Sequence, residues 1–362
     1  MNRFFVCAGL VSLALACSSN NPAGPSDAGD AGWTGIGGDG GEVSSGASFG
    51  RIAAGGGKVF VAFSDSNANG QLTVMQAQGS SWAPVGNPGF TSASVDSTYL
   101  AITVDASGAP WVAYLMNGAV SVAKFTGGAW ATQGADGFAQ PNDAISLVIA
   151  GGAPYLAFTD SAGLRVVTLG GSTWTDVTIG NALTLGFPVL GTDGTTVYVA
   201  YDDLSANSLA LAKLSGTTWT TVATSTLAMY DDWSPSVNVS NGSVFVGFQD
   251  LTNGPVVLQL QGSSLTSVGA LGDISGGDEI ESPSFTVYDG VPYVAFDDES
   301  RDGDPEPKAA TVKYWDGAHW TLYAGYPNPC DIEDTVITSD PSSGKLYLTY
   351  EDCNGYMAVD VH

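Results

Sequence analysis

From residue 50 onward the chain alternates apolar positions with small or polar ones in short runs, and no stretch keeps a 3.6-residue period. Seven runs share one form: VFVAFSD (59–65), PWVAYLM (110–116), PYLAFTD (154–160), VYVAYDD (197–203), VFVGFQD (244–250), PYVAFDD (292–298) and LYLTYED (346–352). Their last positions are 43 to 54 residues apart. Around each run the same order repeats. An alternating β-branched segment comes first, such as SPSVNV (234–239) or SPSFTV (282–287), and a Gly-containing turn leads into the shared run. A third segment follows, such as SLALAKL (208–214) or ATVKYW (310–315), and then a Gly-led turn carrying Trp82, Trp130, Trp174, Trp219 or Trp320. Leu265 stands at that place in the fifth unit. Each unit therefore predicts four short antiparallel strands with frequent turns.

A period near 48 residues built of four strands is that of a propeller blade. Seven units predict an all-β, seven-bladed propeller. The seventh unit is one strand short at its C-terminal end. The missing strand is at the other end, where Trp33-Thr34-Gly35-Ile36-Gly37 has the form of Trp82-Ala83-Pro84-Val85-Gly86. The N-terminal strand is thus expected to complete the last blade and to hide the edges that an open array would leave. The fourth position of the shared run is Ala62, Ala113, Ala157, Ala200, Gly247, Ala295 or Thr349, small enough for blades to stack closely. The Trp series reads as structural, capping the outer part of each blade.

Over residues 33–362 the sequence resembles bacterial exported propeller repeats with a G-x-PYVAYxD…G-x-x-W-x-x-VG signature. The resemblance implies the fold. That group shares no single activity, so it implies no chemistry. A sialidase-type pocket, which uses three arginines, is not expected. Only Arg51, Arg165 and Arg301 follow the N-terminal segment, and they lie on different kinds of element.

Residues 1–16 have a positive start at Arg3 and an uncharged apolar run from Phe4 to Ala16, the pattern of a secretory signal. Ala16-Cys17 resembles a bacterial lipoprotein cleavage site, with Cys17 as the lipidated residue. Ordinary cleavage near Ala16 is the alternative. Residues 17–32 are small, polar and rich in Gly and Pro, and read as a disordered tether. Residues 33–362 form the propeller domain. The expected address is the cell envelope, at the outer membrane or cell surface. With Cys7 removed and Cys17 lipidated, Cys330 and Cys353 remain and are expected to form a disulfide.

Composition then adds a direction. Lys and Arg total 10 against 36 Asp and Glu, a formal charge of −26, although charged residues are only 13 % of the chain. Nucleic acid is excluded as a partner, because every phosphate contact would oppose that field. Two histidines leave no room for a Ser-His-Asp or Cys-His centre. Sorted by loop, 27 of the 36 acids fall on one face, after the second strands or between fourth and first strands. Such a face suits hard cations, calcium foremost. Asp65, Asn67 and Asn69, followed by Gly70, copy the first half of an EF-type loop, although Gln76 stands where a bidentate Glu belongs; a polar hairpin loop is the alternative. Asp298, Asp302 and Asp304 are a second metal candidate, or a solvated acidic loop. The repeated Asp ending the second strand can also hold the following loop through backbone N–H groups. Tyr230, Asp231, Asp232 and Trp233 place aromatic rings beside carboxylates, which suits a sugar, or else pack between blades. The leading expectation is a lipid-anchored binding module presenting acidic loops, with calcium among them, to a glycan or protein ligand. The alternative is an envelope enzyme acting on polysaccharide through Asp231, Asp232, Asp278, Glu279 and Glu281.

Overall fold

The computed structural model describes residues 32–37, 41–47, 50–142, 145–177, 188–203, 208–230, 234–276, 280–298, 309–324, 332–352 and 354–362. Alternation of apolar and polar positions produces seven four-stranded antiparallel sheets, as the repeat predicts. Blade one comprises Gly50–Gly55, Lys58–Asp65, Gln71–Ala77 and Trp82–Pro84. Blade two comprises Val95–Val104, Pro110–Met116, Ala119–Thr126 and Ala129–Thr132. Blade three comprises Ser146–Ala150, Ala153–Asp160, Gly163–Gly170 and Thr173–Asp176. Blades four to six repeat the order, and the first strands of successive blades touch in a closed ring.

Blade seven is made from both ends of the chain. Glu333–Asp340, Lys345–Glu351 and Met357–Val361 are joined by Thr34–Gly35, which pairs with Val361 and Asp360. The segment that follows continues along the same strand, with Ile36 N donating to Val359 O at 2.8 Å and Val43 N to Met357 O at 3.0 Å. At the seam with blade one, Gly57 N donates to Asp340 Oδ2 at 3.0 Å.

The hydrophobic core is divided into seven clusters, one at each junction between blades. Ala62, Ala113, Ala157, Ala200 and Ala295 are fully buried there, and Thr349 nearly so. Gly247 is smaller still for a reason. A Cβ on it would lie 2.3 Å from the Phe285 ring of blade six.

The Trp series is structural, and its role is specific. Trp130 Nε1 donates to Val85 O at 2.7 Å, Trp174 Nε1 to Gln133 O at 2.9 Å, and Trp320 Nε1 to Val268 O at 2.8 Å. Trp82 and Trp219 make the same bond to Ile36 O and Val177 O. Each acceptor lies three residues after the Trp position of the preceding blade, so the indoles clasp neighbouring sheets. After Val85, Gln133 and Val268 the next residue is a Gly that makes room for the incoming ring. A Cβ on Gly86, Gly134 or Gly269 would sit 3.2, 2.7 or 3.0 Å from the indole of the next blade.

Candidate functional site: two aromatic-walled clefts flanking blade two

A connection leads from each fourth strand to the first strand of the next blade. In two places it carries the sequence Gly-x-x-Gly-Phe, at Gly86–Phe90 and Gly134–Phe138. Both glycines of each have positive φ, which turns the chain back and lays the Phe against the next blade. Phe90 stacks on Trp130 with centroids 4.6 Å apart and planes within 9°. Phe138 stacks on Trp174 at 4.8 Å and 13°. Each pair forms a wall of an open cleft, of about 670 Å³ between blades one and two and about 960 Å³ between blades two and three.

The two clefts differ in their floor. In the first, Ser121 is buried and donates to Asp136, while its Oγ accepts from Gly137 N at 3.0 Å. The ring of Tyr114 lies beside them, and burial and then Asp136 push its hydroxyl up to about 12. Met116 ends the second strand where most blades have Asp.

In the second cleft the floor is a guanidinium. Arg165 Nη1 donates to Asp160 Oδ2 at 3.0 Å, Nε donates to Asp176 Oδ1 at 3.0 Å, and Nη2 donates to Asp176 Oδ2. Asp160 ends the second strand of blade three and Asp176 ends the fourth, so one β-sheet supplies all three groups. The fork is fixed at both sides, yet its side chain is 28 % exposed. A guanidinium has five N–H donors, and these bonds engage three of them. The opposing wall brings Gln140, Pro141 and Asn142 beside Phe138 and Trp174. Aromatic faces, hydroxyl acceptors and a free pair of donors converge in one space, the equipment for a polyhydroxylated ligand.

Strand register shows how unusual Arg165 is. It pairs with Phe158 of the shared run. The residues paired at the same place in the other blades are Thr73, Ser121, Ala210, Val256, Thr311 and Ala358. All six are small or apolar and buried, at 3 % exposure or less. Sequence reasoning passed over Arg165, Asp176 and Phe138. Alignment of the third strands was the available signal, since a single long cation interrupts a column of small side chains.

Asp65 Oδ1 accepts from Asn67 N at 2.9 Å and Oδ2 accepts from Thr73 Oγ1 at 2.8 Å. Asn67 donates from Nδ2 to Ser45 Oγ at 3.3 Å, and Asn69 closes a one-turn 3₁₀ segment with φ of 58°. Gly46 packs directly over Asp65 and Asn67, where a Cβ would lie 2.2 Å from Asp65 Oδ1. These carboxylate and amide groups hold the turn to the N-terminal segment. Asp298 is buried and Thr311 Oγ1 donates to it at 3.4 Å. Among the described residues no group of three or more His, Cys, Asp or Glu is arranged to hold a metal ion. The loop-holding role of the repeated Asp is seen in Asp65, Asp160, Asp250 and Asp352. Each accepts a backbone N–H from two residues ahead. Tyr230 is 43 % exposed, and its N–H donates to Gln249 O at 2.9 Å. Asp231, Asp232, Trp233, Asp278, Glu279, Asp302, Asp304, Cys17, Cys330, Cys353 and the segment 1–31 lie outside the described residues.

No protein-family model matches the chain, and a search of the curated proteins finds no match. Solved structures do share the architecture. The chain is similar to a puromycin hydrolase complexed with PGG, at TM-score 0.56 and 10 % identity, covering 86 % of this chain and 51 % of that one. It is similar to the extracellular domain of a putative one component system, BT4673, from B. thetaiotaomicron, at TM-score 0.54 and 13 % identity, covering 91 % and 40 %. It is also similar to the SapL1 lectin in complex with alpha methyl fucoside, at TM-score 0.51 and 14 % identity, covering 80 % and 99 %. At these identities the likeness establishes the propeller fold and leaves the ligand to the site itself.

Proposed function

We propose that this chain is a sugar-binding propeller, exported and held at the bacterial cell envelope by lipid on Cys17, with its ligand in the cleft between blades two and three. The observation that carries this reading is that the Phe138–Trp174 stack and the clamped fork of Arg165 line one cleft. Rings stack on the apolar face of a pyranose, while Asp160 and Asp176 accept hydroxyl hydrogens and the remaining N–H groups of Arg165 donate. The likeness to a lectin bound to a fucoside supports a glycan as the ligand class.

Residues 1–16, the Ala16-Cys17 pair and the tether to residue 32 support the envelope address. The cleft opens on the side where second strands end and fourth strands pass to first strands. On this reading the acidic loops, with calcium among them, surround the ligand and bias against anionic competitors. Cys330 and Cys353 form a disulfide that ties two loops of the closing blade, which free-thiol titration of the exported protein checks.

The test is retention of the full chain on immobilised neutral oligosaccharides, compared with Phe138→Ala. Binding by the parent and its loss in a variant that keeps the native circular dichroism supports the site. Equal binding by both moves the ligand elsewhere on the propeller.

A further inference from the structure

The repeat makes seven equivalent positions, and blade three uses one of them differently. We propose that the propeller binds a single sugar per chain, and a neutral one, because Arg165 alone decides both the number of sites and the charge class of the ligand. This rests on the sugar-binding reading above and deepens it.

Number comes first. The position paired with the aromatic residue of the shared run is described in all seven blades. In six it is buried and small or apolar, so the sheet closes over it. In blade three the long side chain reaches out between Asp160 and Asp176 and leaves donors at the floor of the cleft. The neighbouring cleft has the same aromatic wall, from Phe90 and Trp130, yet the acid that lines it, Asp136, already accepts from the buried Ser121. Met116 and Thr132 stand there at the places of Asp160 and Asp176, so that floor has no clamped fork. A stacking wall without charge-assisted partners lacks the directional half of sugar recognition. Among the described residues, two clefts of this kind with one complete floor give one site.

Charge class follows from the same three groups. Arg165 carries one positive charge and its clamps carry two negative ones, so the floor is net negative before any ligand arrives. An acidic sugar would need Arg165 to exchange a carboxylate it already holds in a two-point grip for one brought by the ligand. It would do so beside the second carboxylate and within a chain of charge −26. A neutral sugar needs no such exchange. It uses the two unengaged N–H groups of Arg165 while the grip stays in place.

The experiment is a glycan array bearing neutral oligosaccharides alongside uronate- and sialate-bearing ones. Isothermal titration of the full chain with the best neutral oligosaccharide follows. The expected result is neutral binders only, a stoichiometry of one, and affinity changed less than threefold between 20 and 500 mM NaCl. Arg165→Ser installs the residue of the equivalent place in blade two and is expected to weaken binding at least tenfold. Arg165→Lys keeps the charge, loses the fork, and serves as the folding control, with a similar loss of affinity at an unchanged melting temperature. Acidic glycans that bind as well as neutral ones, a stoichiometry of two or more, or an undiminished Arg165→Ser affinity overturns the inference while leaving sugar binding intact. Failure to retain any glycan overturns the sugar-binding reading itself.

Discussion

Gly134 offers a sharp test of how the blades are clasped. It has φ of +76°, and a Cβ on it would lie 2.7 Å from both Cδ1 and Nε1 of Trp174 and 3.1 Å from Leu169 Cδ1. The indole has nowhere to retreat. Phe138 stacks on it, and its N–H is bonded to Gln133 O, the residue next to the substitution. Gly151 supplies the control. It has φ of +58° in the turn between the first and second strands of blade three, and nothing lies within 4 Å of its Cβ position. Gly134→Ala and Gly151→Ala both place an L-residue in the left-handed region, at about 1–2 kcal/mol each. Only Gly134→Ala also overpacks a ring, which adds about 1–3 kcal/mol. The expected losses are therefore about 1–2 kcal/mol for Gly151→Ala and about 2–5 kcal/mol for Gly134→Ala. Urea unfolding followed by tryptophan fluorescence gives both values as a fall in midpoint at constant slope. Equal losses would refute the clasp, since backbone strain alone would then explain both. A larger loss at Gly151 would refute the contact geometry as well. Gly134→Ala is also expected to weaken sugar binding, because Trp174 is the outer wall of the cleft.

Other substitutions test separate parts of the account. Trp130→Phe keeps the stack on Phe90 but removes the donor to Val85 O, and should cost about 1–3 kcal/mol in urea unfolding, the range for an orphaned buried acceptor. Asp360 is buried, and that burial pushes its carboxyl up to about 6 despite a hydrogen bond from Tyr350 at 2.7 Å. A folded-state pKa above the unfolded value of about 4 means that this group's contribution to stability is full below pH 4, falls between pH 4 and 6, and is level above. Asp360→Asn should remove that fall and raise stability at pH 7 by about 2–3 kcal/mol, read as unfolding midpoints across pH 4 to 8; an unchanged pH slope would contradict the burial argument. Asp250 accepts from Thr252 N at 3.0 Å, Asn253 N at 2.8 Å and Asn253 Nδ2 at 2.6 Å. Asp250→Ala should increase amide exchange of residues 251–253 selectively, and uniform exchange would show that the loop holds without it.

The sequence by itself determined the number of blades, their strand order and the way the ring closes. These follow from alternation of period two, from the recurrence of the VAF-type run, and from Trp33 having the form of Trp82. Local chemistry was legible for the same reason. An Asp at a strand end reaches N–H groups only two residues ahead, so Asp65, Asp160, Asp250 and Asp352 hold turns wherever the strand stops. The tertiary structure decided what depends on neighbours far along the chain. Trp130 and Trp174 read as blade caps, yet their partners are the carbonyls of Val85 and Gln133 in the preceding blade, more than 40 residues away. Phe138 reads as a loop residue until the next blade brings Trp174 against it. Arg165 is one of few cations in an acidic chain, and strand register fixes the alignment that sets it against six small or apolar side chains. A blade folds from contacts within about 50 residues, but a cleft forms only where two finished blades meet, and the side chains that face it are set by that meeting.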